Sequence, residues 1–121
     1  MERDVMEYDV VVVGGGPSGL STAIKFAQMN KENGTDYSIC LLEKGSEIGA
    51  HILSGNVFQT TALDELIPNW KDLNAPVNVP VKKDKLLFLL KKISIPIPAF
   101  IMPTMNNHGN YVISLGNLCK W

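Results

Sequence analysis

The sequence has little of what marks several large protein classes. Two cysteines, Cys40 and Cys119, in 121 residues are too few for a disulfide scaffold, and both are expected to stay free thiols. The longest unbroken apolar run, residues 86–90, is five residues, whereas a helix needs roughly 20 to cross a bilayer. The opening MERDVMEYDV carries four acids and one base, the opposite of a basic secretory or transit leader. The chain as written is therefore expected to start in a reducing compartment or after trimming. No Ser/His/Asp arrangement, paired-carboxylate site or cysteine cluster is evident, so hydrolytic and metal chemistry find no support in these residues. A hydrophobic content of 45% excludes disorder and collagen.

What is present is unevenly distributed. Residues 1–72 hold 5 bases and 11 acids, and residues 73–121 hold 6 bases and the single acid Asp84, so a net charge of −1 conceals halves of −6 and +5. Four of the ten glycines fall within residues 14–19, and six of the seven prolines lie from Pro68 to Pro103. The charge and turn chemistry divide the chain into a glycine-punctuated acidic part and a proline-punctuated basic one.

Residues 8–13 read YDVVVV, a β-branched run that suits a parallel strand covered on both faces. Next come Gly14, Gly15, Gly16, Pro17, Ser18 and Gly19, a G-x-G-x-x-G pattern, and then Leu20, Ala23, Ile24 and Ala27 at helical spacing. Strand, glycine turn and helix in this order form a dinucleotide-binding start. The first glycine permits the tight turn, the second lets backbone approach a pyrophosphate, and the third lets the helix pack on the strand. Helix-start N–H groups and the positive dipole end hold phosphate, and Pro17 sits where a missing N–H costs nothing. The helix is expected to give out in residues 30–34, and residues 37–42 (YSICLL) to form a second strand ending at Glu43 and Lys44. Glu43, 24 residues beyond Gly19, is placed to accept hydrogen bonds from both ribose hydroxyls of an adenosine.

FAD and NAD both bind through such a unit, and two features favour FAD. The unit opens the chain, and the stretch after Glu43 carries Gly49, Ser54 and Gly55, which as a loop would let backbone run beside an extended ligand. A third strand and helix would follow sooner in an NAD domain.

Residues 60–67 look like a short helix with a threonine, Thr60 or Thr61, at its N-cap and a stop at Pro68. Farther on, Leu86, Leu87, Phe88, Leu89, Leu90, Ile95, Ile97, Phe100, Ile101 and Met102 are flanked by Lys82, Lys83, Lys85, Lys91 and Lys92, with Pro96, Pro98 and Pro103 preventing a continuous helix. These side chains either fill the core of a larger protein or face a membrane, with lysines near anionic headgroups. No nucleic-acid motif accompanies the lysines, so no nucleic-acid partner is expected. Residues 106–110 form a polar turn in which His108 reads as a solvated histidine. Residues 111–115 form a strand, and a helix opens at Gly116 that residue 121 cuts short, so the chain reads as a fragment of something longer.

On DVVVVGGGPSGLS, EKGSEIGAHILSG, IPNWKDLNAP and MNNHGNYVISLGNL, the chain resembles the electron transfer flavoprotein-ubiquinone oxidoreductase family over nearly its whole length. The first motif is common to many flavoproteins; the second and last are more specific. The resemblance implies an α/β fold whose Rossmann-like FAD-binding βαβ unit is of the glutathione-reductase flavoprotein type, incomplete here and interrupted by a membrane-facing insertion. On that division, residues 1–70 start the FAD domain, residues 71–105 form the insertion and residues 106–121 return to the domain. Gly14, Gly15, Gly16, Pro17, Ser18, Gly19, Glu43, Lys44, Gly49, Ser54 and Gly55 would then bind FAD. Leu86, Leu87, Phe88, Leu90, Ile97, Phe100, Ile101 and Met102 would face the membrane.

The implied partners are electron transfer flavoprotein, ubiquinone and a membrane surface, and the implied reaction passes electrons through FAD and an iron-sulfur cluster. A [4Fe-4S] cluster takes four cysteine ligands, which this fragment lacks, so the fragment alone is expected to be inactive. The location implied is peripheral, on the inner face of a bacterial plasma membrane or on the mitochondrial inner membrane. Two alternatives stay open: another FAD-dependent oxidoreductase of this class, such as a hydroxylase or prenyl reductase, and a non-catalytic nucleotide-binding module.

Overall fold

Four consecutive valines form strand β1 (Val10–Val13), which leads through the glycine turn into helix α1 (Pro17–Asn33) and strand β2 (Ile39–Leu42). The computed structural model describes residues 4–121, so the start of the acidic opening lies outside the described residues. The strands β1 and β2 pair in parallel from Val10↔Ile39 to Val13↔Leu42, as a βαβ unit requires. The helix begins on Pro17 with Gly16 as N-cap and ends at Asn33, within the residues 30–34 where the sequence has it give out. It ends because Gly34 adopts φ 66°, a left-handed conformation that glycine enters without steric cost.

The expectation that β1 is covered on both faces does not hold. Val12 is half-buried, whereas Val11 is 51% and Val13 82% exposed. The reason is that α1 covers one face of a two-stranded sheet and no described element lies on the other. The apolar stripe of α1 is likewise incompletely covered: Leu20, Ala23 and Ile24 are half-buried and Ala27 is exposed.

The rest of the chain supplies β3 (Ser54–Phe58), α2 (Thr61–Leu66), β4 (Val79–Pro80), β5 (Leu86–Leu89), β6 (Ser94–Ile97), β7 (Tyr111–Ser114) and α3 (Leu115–Lys120). Two single-turn 3-10 helices, Ala99–Ile101 and Pro103–Met105, lie between β6 and β7. A three-stranded antiparallel sheet forms in the order β3-β7-β4, and β5 and β6 form a separate hairpin. Ser54 and Gly55, expected in a loop, stand in β3, where Gly55 occupies a bulge at φ 81°.

The core lies at this antiparallel sheet and not under the βαβ unit. Leu63 of α2, Trp70, Ala75, Val77 and Ile113 of β7 are its buried members. Trp70 meets Tyr111 edge-on at 6.3 Å between ring centroids, and its indole N–H donates to Asp64 Oδ1 at 2.7 Å. Thr60 occupies the N-cap position of α2, but its hydroxyl donates to Asp64 Oδ2 at 2.9 Å and caps no backbone amide. The two layers are joined where Gln28 of α1 donates to the carbonyl of Leu66 at 2.8 Å.

The close approach of α1 to β1 depends on Gly19. A Cβ there would overlap the carbonyl oxygen of Gly14 and press on Val12, and backbone cannot yield as a flexible side chain would. Replacing Gly19 by Ala is therefore expected to destabilise the protein by about 1–3 kcal/mol or more, read as a lower urea midpoint. The Trp70→Phe variant keeps the ring contact and loses the hydrogen bond to Asp64, at about 1 kcal/mol. The Trp70 indole, with Thr60 second, holds the Asp64 carboxyl below its ordinary value. That stabilisation is complete above about pH 4 and is lost as pH falls through the depressed value, so the gap between wild type and Trp70→Phe is expected to close in acid.

Candidate functional site

At the end of β1 the chain turns at Gly14, whose φ of 107° is closed to other residues without strain. The Gly14 amide donates to Leu42 of β2 at 2.7 Å, which keeps the two strand ends side by side as the chain leaves them. One residue beyond Leu42, the Glu43 carboxylate reaches across to this turn. Its Oε2 accepts from the Gly15 amide at 2.7 Å and its Oε1 from the Gly45 amide at 2.6 Å. The Gly45 bond first and the Gly15 bond second hold the Glu43 carboxyl below the usual carboxylate range. The acid is thus ionised and oriented at neutral pH, and each oxygen keeps a further lone pair for a hydroxyl donor.

The glycines of the turn differ in what surrounds them. Gly15 is buried, and a side chain on it would press against Ile48 and Glu43. At Gly16 a Cβ would meet nothing within 4 Å. Gly16 is also the N-cap of α1, with no side-chain cap and no acid in the first turn. The first-turn N–H groups of this 17-residue helix therefore have neither a capping side chain nor a first-turn acid as acceptor. An anionic diphosphate fits those donors, and a ribose carried on it fits the oriented Glu43 carboxylate.

Lys44 is exposed beside this acid. Gly49 adopts φ 86° and lies against Gly116 of α3. Ser54 pairs with Ser114, the residue whose hydroxyl caps α3 by accepting from the Asn117 amide at 3.4 Å. The structure thus brings Gly14, Gly15, Gly16, Pro17, Ser18, Gly19 and Glu43 together, and it sets Gly49 and Ser54 at the β7–α3 junction. Sequence reasoning missed Gly45, the first amide donor to Glu43, and Ile48, which covers Gly15. A glycine two positions after the strand-end acid was the available signal for the former. A cleft of about 670 Å³ beside the turn is walled mainly by apolar side chains, among them Leu20, Ile24, Leu66 and Leu118, with Ser21 and Lys120 also in its lining.

The apolar segment forms a hairpin with Leu86↔Ile97, Leu87↔Pro96 and Phe88↔Ile95 as partners. Leu86 and Ile97 are half-buried at its base, where they line a crevice of about 220 Å³ together with Met102. Leu87, Phe88, Leu90, Phe100, Ile101 and Met102 are exposed, Phe100 by 82%. Adjacent residues of one strand point to opposite faces, so exposure of both Leu87 and Phe88 makes the hairpin apolar on both sides. Lys91 and Lys92 form its tip. Asp84, the one acid of this half, accepts from the amide and the side chain of Asn107 at 3.0 and 2.9 Å and ties the hairpin base to the polar turn.

No helix of the described residues is long and apolar enough to cross a membrane. Cys40 is a half-buried free thiol, and Cys119 a buried one whose burial pushes its pKa up.

Comparison with known proteins places these features in context. The chain is 55% identical over 123 residues to electron transfer flavoprotein-ubiquinone oxidoreductase of Pseudomonas aeruginosa, all of the chain matching 22% of that relative. It is 56% identical over 124 residues to the probable electron transfer flavoprotein-ubiquinone oxidoreductase of Acinetobacter baylyi, again 22% of its length. The mitochondrial electron transfer flavoprotein-ubiquinone oxidoreductase of Mus musculus is 49% identical over 121 residues, 20% of its length. The chain therefore spans about a fifth of the length of these curated relatives. The family described as NAD(P)-binding Rossmann-like domain matches residues 12–74. Since that stretch holds the glycine turn, α1, β2 and Glu43 and covers more than half of the sequence, the chain belongs to the NAD(P)-binding Rossmann-like domain family.

Proposed function

We propose that this chain is the FAD-binding portion of an oxidoreductase that passes electrons from reduced electron transfer flavoprotein to ubiquinone at a membrane surface. The observation that carries the reading is the Glu43 carboxylate, fixed by two backbone amides beside a glycine turn whose helix start is uncapped. The names of the relatives support the flavoprotein, quinone and oxidoreductase elements.

The first-turn amides of α1 would hold the diphosphate, Gly16 would allow it to approach the backbone, and Glu43 would accept from the adenosine ribose hydroxyls. A carboxylate in that position disfavours a 2′-phosphate. FAD, when bound, supplies the redox chemistry, taking electrons singly and passing on two, while the chain supplies position and electrostatics. Cys40 and Cys119 do not make a cluster ligand set, so the iron-sulfur cluster of this reading belongs to the remainder of the protein.

The membrane element of the proposal rests on the hairpin. A soluble edge hairpin buries one face, whereas this one exposes apolar side chains on both faces, and a patch of that kind marks an interaction surface. Lys91 and Lys92 at the tip oppose tip-first insertion. The hairpin would instead lie along the interface, with its lysines extended toward headgroups and its apolar side chains among the outer parts of the acyl chains. This is the mode of a peripheral protein on a bacterial plasma membrane or the mitochondrial inner membrane.

In the full-length protein, Gly16→Ala is expected to weaken FAD binding by at least tenfold with little change in melting temperature, because its Cβ strains nothing in the fold. Equal binding by wild type and variant in a flavin fluorescence titration would sink the diphosphate assignment. Glu43→Gln removes the charge that orients toward ribose and is expected to weaken FAD by about five- to tenfold, the loss of one charge-assisted hydrogen bond. The depressed carboxyl of Glu43 keeps its contribution above about pH 4 and loses it as pH falls through its lowered value. FAD retention should therefore fall in acid for wild type more steeply than for Glu43→Gln. Replacing Leu87, Phe88 and Phe100 by Ser is expected to reduce co-sedimentation of the full-length protein with anionic vesicles, and undiminished binding would mean that they pack inside the protein.

A further inference from the structure

The segment that follows Glu43 does more than connect two strands. It begins at the candidate site, where the Gly45 amide holds Glu43 Oε1 at 2.6 Å. In its middle, Ile48 packs so close to Gly15 that no side chain could stand there without displacing it. It then reaches α3 through two contacts of different chemistry. Gly49 and Gly116 meet backbone to backbone: a Cβ on Gly49 would stand 2.7 Å from the Gly116 oxygen, and one on Gly116 would stand 3.1 Å from the Gly49 oxygen. Glu47 Oε1 accepts from Lys120 Nζ at 2.7 Å. Residues 45–50 are thus a strap with one end on the glycine turn and the other on a helix 70 residues farther along the chain.

We infer that Gly116 and Lys120 are positioning residues of the dinucleotide site, acting through this strap on Gly15 and Glu43. The inference rests on reading the turn as a dinucleotide site and adds how that site is held ready. The strap contains Gly45, Ser46 and Gly49, and a free segment of this composition samples many conformations. Unpinned, it would carry Ile48 away from Gly15 and the Gly45 amide away from Glu43, and ligand binding would have to restore both. The two pins differ in strength. The ion pair is exposed on both sides, so it is modest and weakened by salt. The glycine contact admits no other residue, since Gly49 needs both its left-handed φ of 86° and the absence of a Cβ facing α3.

The test uses full-length protein titrated with FAD at low salt, followed by flavin fluorescence. Glu47→Ala and Lys120→Ala are each expected to raise the FAD Kd by about two- to fivefold, the range of an exposed ion pair. The double alanine variant should be no worse than either single one, and the reversed pair, Glu47→Lys with Lys120→Glu, should recover most of the loss. The differences should shrink in about 0.5 M salt. Gly116→Ala is expected to weaken FAD by about tenfold and to speed proteolysis within residues 45–50; if it does not fold, the charge-pair set decides alone. Variants that melt earlier yet bind FAD as wild type does would overturn the inference, as would additive losses in the double variant. A wild type that takes up no FAD overturns the site reading itself, and only that outcome leaves the unmodified protein colourless.

Discussion

The geometry of the site depends on one carboxylate. Glu43 ends β2, and its two oxygens take the amides of Gly15 and Gly45, so that strand end, glycine turn and the following segment are held in one place. Both amides belong to glycines because the space around them is already taken. Glu43 and Ile48 crowd Gly15, and Glu43, the Glu47 carbonyl and His51 crowd Gly45. An ionised acceptor surrounded by donors is stable where it stands, and it presents the lone pairs that a ribose diol needs. The same group therefore closes the turn and, on the proposed reading, would also face the ribose.

The molecule carries two kinds of uncovered apolar surface, and they have different meanings. Val11, Val13 and Leu42 are exposed on the face of a parallel strand pair that α1 does not cover. Continuous apolar strands of this sort belong between two layers, and among the described residues α1 supplies one of them. The hairpin of β5 and β6 is different, for it is apolar on both faces and carries lysines at its tip and before its base. A layer of helices would not need those lysines, whereas an anionic interface would. The strap after Glu43 joins the glycine turn to α3, which follows directly on β7.

Much of the βαβ unit was legible because its signals are local. The valine run, the glycine spacing, Pro17 at the helix start and the acid at the strand end each act through near neighbours in the chain, and each stands where the spacing puts it. Failures came where a side-chain or cross-strand contact made in the fold intervened. Thr60 reads as a helix cap, yet Asp64, itself drawn to the Trp70 indole, takes its hydroxyl. Ser54 and Gly55 read as loop residues, yet Ser114 stands opposite and pairs them into a sheet through a bulge.

The amino-acid order by itself determined that a strand, a glycine turn, a helix and a strand-end acid would follow one another, since periodicity and backbone freedom are properties of neighbouring residues. It also determined that residues 86–102 would be largely apolar, with Lys91 and Lys92 within the stretch and Lys82, Lys83 and Lys85 before it. Tertiary structure alone decided that the core would form around Trp70 and Ile113, that Gly49 would meet Gly116, and that the apolar stretch would be a hairpin bare on both sides. Those outcomes rest on contacts between residues far apart in the chain. Such contacts exist only once folding has brought two surfaces together, and no spacing rule along the chain encodes which surfaces meet.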